Sequence, residues 1–293
     1  MNKLKSFKKG IEDVRQGNET ALEASKKELT SIPELPELEI PDDIVSLQHL
    51  EHLNLFNNWI TVITPKISEL RGLRSLILGM NRLDALPRGF GAFPTLEVLD
   101  LTYNNLATLP DNFFNLGTLR ALYLSDNNFE YLPAGIGNLL NLEILALRDN
   151  DLIYLPPEIG KLTRLKELHI QGNRLTVLPP ELGSQSLPKV VVVPCFLFQI
   201  YYEIYHQINF PNLIRKCCID VLGNLDLTGP KQVAKLSGNY WVSPIEDQLQ
   251  VGLSHVFDYI RSETYKFLHD RHLTMNPPVP PKADRSRKIS RKR

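Results

Sequence analysis

The chain has 293 residues, which is enough for one large or two ordinary domains with a sizeable core. Its 33 basic and 33 acidic residues balance, which argues against nucleic acid or an anionic membrane as the general partner. We find no signal-peptide h-region and no apolar run of the roughly 18 residues that a transmembrane helix needs. The cysteines cluster at Cys195, Cys217 and Cys218, so we do not expect disulfides at the ends of the fold. This favours a reducing, cytoplasmic setting.

The N-terminal segment, residues 1–37, predicts a helical cap and a degenerate first repeat. Residues 1–28 carry an apolar stripe at helical spacing, formed by Leu4, Phe7, Ile11 and Val14. A solvated, charged helix is the alternative for the first ten residues. The return half of a repeat follows, marked by Pro41, Ile44 and Leu47. No strand-forming half precedes it, so one strand is expected to be missing.

A repeat of 23 residues fills residues 38–183, with six full copies from Leu50 onward. Each copy follows L-x-x-L-x-L-x-x-N-x-L, and the first copy has Leu50, Leu53, Leu55, Asn58 and Ile60. The asparagines form one column: Asn58, Asn81, Asn104, Asn127, Asn150 and Asn173. The second half of the repeat adds a proline column of Pro87, Pro110, Pro133, Pro156 and Pro179.

This pattern predicts stacked strands rather than an array of amphipathic helices, because a period of 3.6 fits neither the L-x-L step nor the Asn and Pro columns. Leucines at L-x-L spacing point to one side of a short strand, and stacking pairs the strands in parallel. The Asn column must face inward and bond the backbone of adjacent turns. The prediction is an α/β leucine-rich-repeat solenoid, a horseshoe with a concave parallel β-sheet and helical caps at both ends.

The segment 184–223 interrupts the repeat. Removing its forty residues brings Leu225 into the apolar column where the chain has Gln185, so we interpret it as an insertion into an existing repeat. Its apolar residues have no predicted partner, which favours a splicing or gene-model artefact over a functional insert. Residues 224–274 then predict a C-terminal cap with a helix over 245–268. The Pro-rich, basic tail 275–293 is predicted to be disordered.

Several stretches resemble the Ras suppressor family: MNRLDALPRGFGAFPTLEVLDLTYNNL (residues 80–106), LKELHIQGNRLTVLPPELG (165–183) and SHVFDYIRSETYK (254–266). The resemblance extends over residues 51–183 and 224–293. It implies a leucine-rich-repeat adaptor at integrin focal adhesions that binds a LIM domain of PINCH, in the complex with integrin-linked kinase and parvin, and that dampens Ras signalling. The chain departs from the family in the missing front repeat, the segment 184–223, and Tyr240 in place of a proline.

The predicted binding surface is the concave face, where outward strand positions and the residues just beyond them carry aromatic and charged side chains. We predict that the partner contacts Phe56, Met80, Asp100, Tyr103, Tyr123, Asp126, Arg148, Asp149 and His169. Aromatic residues beside acids and an arginine are typical of interface hot spots, and exposed apolar side chains disfavour an ordinary solvated face.

The sequence gives weaker support for enzymatic activity, for direct GTPase binding and for phosphorylation. Cys218 lies in a Cys-x-Asp tripeptide that resembles bacterial leucine-rich-repeat ubiquitin ligases, which leaves a ligase as the alternative from the enzyme class. Direct binding of a Ras-family GTPase or its effector is the other alternative. Ser286 and Ser290 in the basic tail are possible phosphorylation sites. We expect a monomer that is not an enzyme, with no cofactor, no metal and no nucleic-acid partner.

Overall fold

The structure, a computed structural model, describes residues 2–25, 47–184 and 233–282. Eight strands of three residues each form one parallel sheet in chain order. They are β1 Ala21–Glu23, β2 His52–Asn54, β3 Ser75–Ile77, β4 Val98–Asp100, β5 Ala121–Tyr123, β6 Ile144–Ala146, β7 Glu167–His169 and β8 Val233–Lys235. We use "coil" for one strand together with the chain that follows it up to the next strand.

The register of the sheet follows the repeat, because residues 23 apart pair from β2 to β7. The central leucine of each strand therefore lies beside its equivalents, and Leu76, Leu99, Leu122 and Leu145 are fully buried. Such columns remove apolar surface from water in every coil, the main stabilising contribution in a solenoid. The predicted leucine-rich-repeat fold is confirmed.

The convex side consists of short 3₁₀ helices: Pro65–Glu69, Phe90–Ala92, Asp111–Asn115, Ala134–Asn138 and Pro157–Lys161. Three of them begin directly after a residue of the proline column, whose fixed φ suits the start of a helical turn. Each inserts an apolar side chain into the core. The rings of Phe90 and Phe113 stack with centroids 6.1 Å apart, so the convex side is packed from coil to coil.

The Asn column is buried, as predicted, and it joins neighbouring coils. The side-chain amide of Asn104 donates to the carbonyl of Leu101 in its own coil and to that of Leu78 in the preceding coil. Its oxygen accepts the backbone N–H of Leu83 at 3.1 Å. These bonds pair backbone groups that the strand ladder leaves open.

The N-terminal cap differs from the prediction. The helix α1 spans Asn2–Arg15, with Ile11 and Val14 buried, and does not continue to residue 28. Gly17, at φ 76°, ends the turn after it, and β1 follows within the predicted helix. Since β1 pairs with β2, it supplies the strand that the sequence appeared to lack ahead of β2.

The C-terminal cap contains a further coil that the sequence analysis missed. Strand β8 pairs with β7, and Asn239 donates to the carbonyls of Leu236 and Ile170 as a seventh member of the Asn column. The signal was present as Ala234-x-Leu236-x-x-Asn239, a shortened copy of the repeat pattern. Trp241 attaches to this coil, because its ring nitrogen donates a hydrogen bond to the carbonyl of Leu236.

The single helix predicted over 245–268 is wrong, because the chain forms three helices there. They are α3 Ser243–Val251, α4 Leu253–Arg261 and α5 Glu263–Thr274, which follow the four-residue α2 at Glu181–Ser184. Gly252, at φ 151°, separates α3 from α4. Ser262 is extended, and its hydroxyl accepts the N–H of Tyr265 to cap α5. The buried Tyr265 donates its hydroxyl to the carbonyl of Leu178, which attaches the cap to the last full repeat.

Candidate functional site

The concave face presents the outward side chains of the strands and the residues that follow each strand. Six of the nine predicted contact residues are half-buried, with part of each side chain open to solvent: Met80, Asp100, Tyr103, Tyr123, Arg148 and Asp149. They lie in consecutive coils from β3 to β6, so the in-register sheet brings them together across four coils. A single partner domain resting on this face would touch all four coils.

The other three predicted contacts are less exposed than expected. Phe56, Asp126 and His169 are buried, at 8%, 8% and 7% exposure. In a parallel sheet adjacent strands lie about 4.8 Å apart, so large side chains on the inner face cover one another. The expectation that the whole row is exposed is therefore wrong at these residues. Their part in binding stays a prediction.

The residue before each column asparagine has a left-handed backbone. Positive φ values of 51° to 70° occur at Asn57, Met80, Tyr103, Asp126, Asp149, Gly172 and Gly238. This conformation ends the strand and turns the next residue inward. Gly, Asn and Asp tolerate it, whereas Met and Tyr adopt it at a conformational cost. Gly172 also needs to lack a Cβ, which would come within 2.1 Å of the Asp149 carboxylate.

Asp100 packs closely over Gly79 on the concave face. Gly79 in the neighbouring coil lacks a side chain, and a Cβ there would lie 3.1 Å from both the Asp100 carboxylate and the Phe56 ring. Burial raises the pKa of the Asp100 carboxyl above its ordinary value, while hydrogen bonds from Thr102 oppose that rise. The backbone N–H of Thr102 donates to this carboxylate at 2.8 Å.

The charge of the face is mainly negative. From β2 to β7, the concave face includes the outward strand positions and the residues just beyond them. Its acidic side chains are Asp100, Asp126, Asp149 and Glu167, and its only basic side chain other than histidine is Arg148. Arg148 bonds the adjacent Asp149 through Nε at 2.5 Å. His169 lies 3.2 Å from Glu167. The face therefore carries more acidic than basic side chains, which favours a partner with basic groups.

One edge of the sheet carries a charge ladder that the sequence analysis missed. The residue before each strand alternates in sign from coil to coil: Glu51, Arg74, Glu97, Arg120, Glu143 and Lys166. Arg74 pairs with Glu97 at 2.5 Å, and Glu143 binds both Arg120 and Lys166 at 2.6 Å and 2.5 Å. Burial alone would raise the pKa of Glu143, but hydrogen bonds from Lys166 and Arg120 lower it overall. The signal was the alternation at 23-residue spacing.

The remaining candidates lie outside the described residues. These are Cys218, which carries the ligase alternative, and the possible phosphorylation sites Ser286 and Ser290. The same holds for Leu225 and nearly all of the segment 184–223. Within residues 2–25, 47–184 and 233–282, no helix is long and apolar enough to cross a bilayer.

Comparison with known proteins agrees with the fold. The family described as a leucine-rich repeat region matches residues 66–172 and 92–193, and a leucine-rich repeat matches residues 46–62. A leucine-rich-repeat protein from Leptospira interrogans is 33% identical, with a TM-score of 0.53 over 57% of this chain and 41% of that one. A TDR receptor is 25% identical, with a TM-score of 0.50 over 63% of this chain and 36% of that one.

The curated relatives are Ras suppressor protein 1 from mouse and human, each 64% identical over 69 residues, and from cattle, 62% identical over 69 residues. These matches cover 23% of this chain and 25% of each relative, so the chain matches about a quarter of their length. The predicted resemblance is confirmed over that stretch. The chain is thus a leucine-rich-repeat protein that is similar to Ras suppressor protein 1.

Proposed function

We propose that this leucine-rich-repeat scaffold is an adaptor at cell–matrix adhesions, that it binds a LIM-domain partner of the PINCH type through its concave face, and that it dampens Ras signalling. The repeats and the Ras suppressor relatives support a protein-binding scaffold. The LIM partner, the cytoplasmic adhesion site and the Ras role come from the family resemblance. A catalytic role has no support in the fold or in these relatives.

The observation that carries the proposal is the pair Met80 and Tyr103. Both occupy the left-handed position at φ 54°, where Gly, Asn or Asp would fit at lower conformational cost. Both side chains are half-exposed on the concave face, so burial in the core does not explain them. A large apolar or aromatic side chain in a strained, accessible position is expected where it contacts a partner.

The charges of the face favour a partner with basic side chains. Asp100 is a carboxyl whose pKa is raised by burial, so it gains from a cation brought alongside. Tyr123 and Arg148 lie in the two adjacent coils and supply the large, half-exposed side chains that anchor interfaces. An anchor from each of three successive coils would fix the orientation of a small domain in the concavity.

The experiment is isothermal titration of the full chain with the PINCH LIM domains. Tyr123→Ala and Arg148→Ala should each weaken binding by about 2 kcal/mol or more, roughly thirtyfold in Kd, if they are hot spots. Their folds should persist, since these side chains point away from the leucine core. Lys161→Ala, on the exposed convex side, is the matched control and should leave Kd unchanged.

Two results would contradict the proposal. Loss of LIM binding in Lys161→Ala, with retention in the two concave variants, would move the site to the convex side. No LIM binding, together with capture of a Ras-family GTPase only in one nucleotide state, would support the direct GTPase alternative instead.

A further inference from the structure

The chain after α5 crosses the solenoid instead of leaving it. Residues 277–282 have the sequence Pro-Pro-Val-Pro-Pro-Lys and form no helix or strand. Proline fixes φ and removes the backbone donor, so such a segment stays extended and loses little conformational entropy on binding. The tail was predicted to be disordered from residue 275 onward. As far as Lys282, however, the segment contacts two coils of the solenoid.

The first contact is made by Arg174, which directly follows the column residue Asn173. Arg174 is buried, at 8% exposure, and its Nε donates to the carbonyl of Pro280 at 2.6 Å. A buried guanidinium needs acceptors, and the tail supplies one from 106 residues away. In the same coil, the hydroxyl of Thr176 lies 3.1 Å from the ring nitrogen of His272, which places the end of α5 where the segment begins.

The second contact is made two coils further along the stack. Lys282 pairs with Glu130, which follows β5 in the chain. The hydrogen bond and the charge of Lys282 lower the pKa of Glu130, burial opposes them, and the charge of Arg174 adds to the lowering. The Glu130 carboxylate is therefore stabilised by the positive charges of both Lys282 and Arg174. The segment runs across the coils from β7 toward β5.

The coil between the two contacts presents an aromatic surface. Tyr154 follows β6, and its ring lies 5.4 Å from that of Tyr131 in the preceding coil. Both rings are largely exposed, at 44% and 52%. Exposed aromatic rings beside an acidic group are what extended proline-rich ligands with a basic residue bind in other proteins. Arg174 and Glu130, the two residues that bind the segment on either side of these rings, form what we call the lateral site.

We infer that the lateral site is a binding site for an extended, proline-rich segment that ends in a basic residue, and that residues 276–282 of this chain are its occupant. Arg174 recognises a carbonyl of the proline run, and Glu130 recognises the lysine two residues later. The lateral site is distinct from the concave face, so the inference does not depend on the proposed adaptor function.

Limited trypsin digestion of the full chain tests this inference, because Lys282 is itself a cleavage site. While its side chain is paired with Glu130, cleavage after Lys282 should be slow. Glu130→Gln should raise the rate of that cleavage about threefold, as expected for an exposed ion pair. Arg174→Ala should raise it about tenfold, because it removes a charged hydrogen bond. Mass spectrometry of the fragment that ends at Lys282 gives the rate.

The controls separate site occupancy from general loosening. Glu158→Gln removes a charge from the convex side and should leave the rate unchanged. An excess of the synthetic peptide NPPVPPK should displace the tail and raise the rate in the parent chain, whereas NPPVPPE should not. If Glu130→Gln and the parent chain are cleaved after Lys282 at the same rate, and the peptide has no effect, the lateral site does not bind this segment.

Discussion

Replacement of Asn127 by alanine tests whether the Asn column stabilises the stack. Its amide donates to the carbonyls of Leu101 and Leu124 at 2.9 Å and 3.1 Å. Its oxygen accepts the N–H of Leu106 at 3.0 Å. The residue is fully buried, so water cannot replace these bonds in the folded protein. Alanine removes all of them at once.

The size of the effect depends on which groups keep another partner. The Leu101 and Leu124 carbonyls also accept from Asn104 and Asn150, each at 2.9 Å, so each loses one of two bonds, about 0.5–1.5 kcal/mol. The Leu106 N–H loses its acceptor, at about 1–3 kcal/mol for an unsatisfied buried donor. Taken at the midpoints of these ranges, the sum is about 4 kcal/mol, equivalent to a fall of about 8–16 °C in Tm for a domain of this size.

Thermal unfolding followed by circular dichroism measures this loss. Asn128→Ala is the matched control, since this exposed neighbour donates only one bond, to the carbonyl of Asn105 at 3.2 Å. Its Tm should stay within about 1–2 °C of the parent, as expected of a surface substitution. Equal Tm values for Asn127→Ala and Asn128→Ala would refute the idea that the column stabilises the stack.

Three further predictions use the same melts. Glu143→Gln should cost about 1–2 kcal/mol at neutral pH, because it leaves two half-exposed cations without their shared partner. This difference in stability between parent and variant should disappear as pH falls through the lowered pKa of Glu143, because the parent chain then also loses the charge. A difference that does not change with pH would contradict the stabilising role of the charge ladder. Asp100→Asn should raise Tm at neutral pH and lose that advantage as pH falls through the raised pKa of Asp100; a lower Tm at neutral pH would contradict the burial argument. Deletion of residues 184–223 should raise Tm by joining the last repeat to its cap, and a lower Tm would mean that the segment packs on the fold.

The sequence predicted the strands and the Asn column well because both repeat every 23 residues. Each copy of the pattern places a leucine inward and an asparagine at the end of the strand, whatever the rest of the coil contains. The prediction was wrong at the ends, where the copies are incomplete. Residues 21–23 lack the leucine spacing, so the pattern predicted a helix there. Asn239 was missed because Ala234 occupies the position of the central leucine in the other strands.

Burial on the concave face depends on neighbours that are 23 residues away in the chain. Alternation along one strand places Phe56 and His169 outward, and it contains no information about the side chains on the adjacent strands that cover them. The left-handed backbone at Met80 and Tyr103 was equally hidden, since neither residue type signals a positive φ. The sequence could therefore locate the binding face but could not determine how far each side chain is exposed.

The sequence by itself determined the leucine-rich-repeat solenoid, its period and the residues of its interior columns, because these follow from a local pattern that recurs in every coil. Only the tertiary structure decided which concave side chains remain accessible, how the charge ladder pairs, and where the proline-rich tail lies. The contacts of Pro280 with Arg174 and of Lys282 with Glu130 join residues 106 and 152 positions apart. No repeat relates the members of such pairs, so their meeting depends on the stacked coils and not on local spacing.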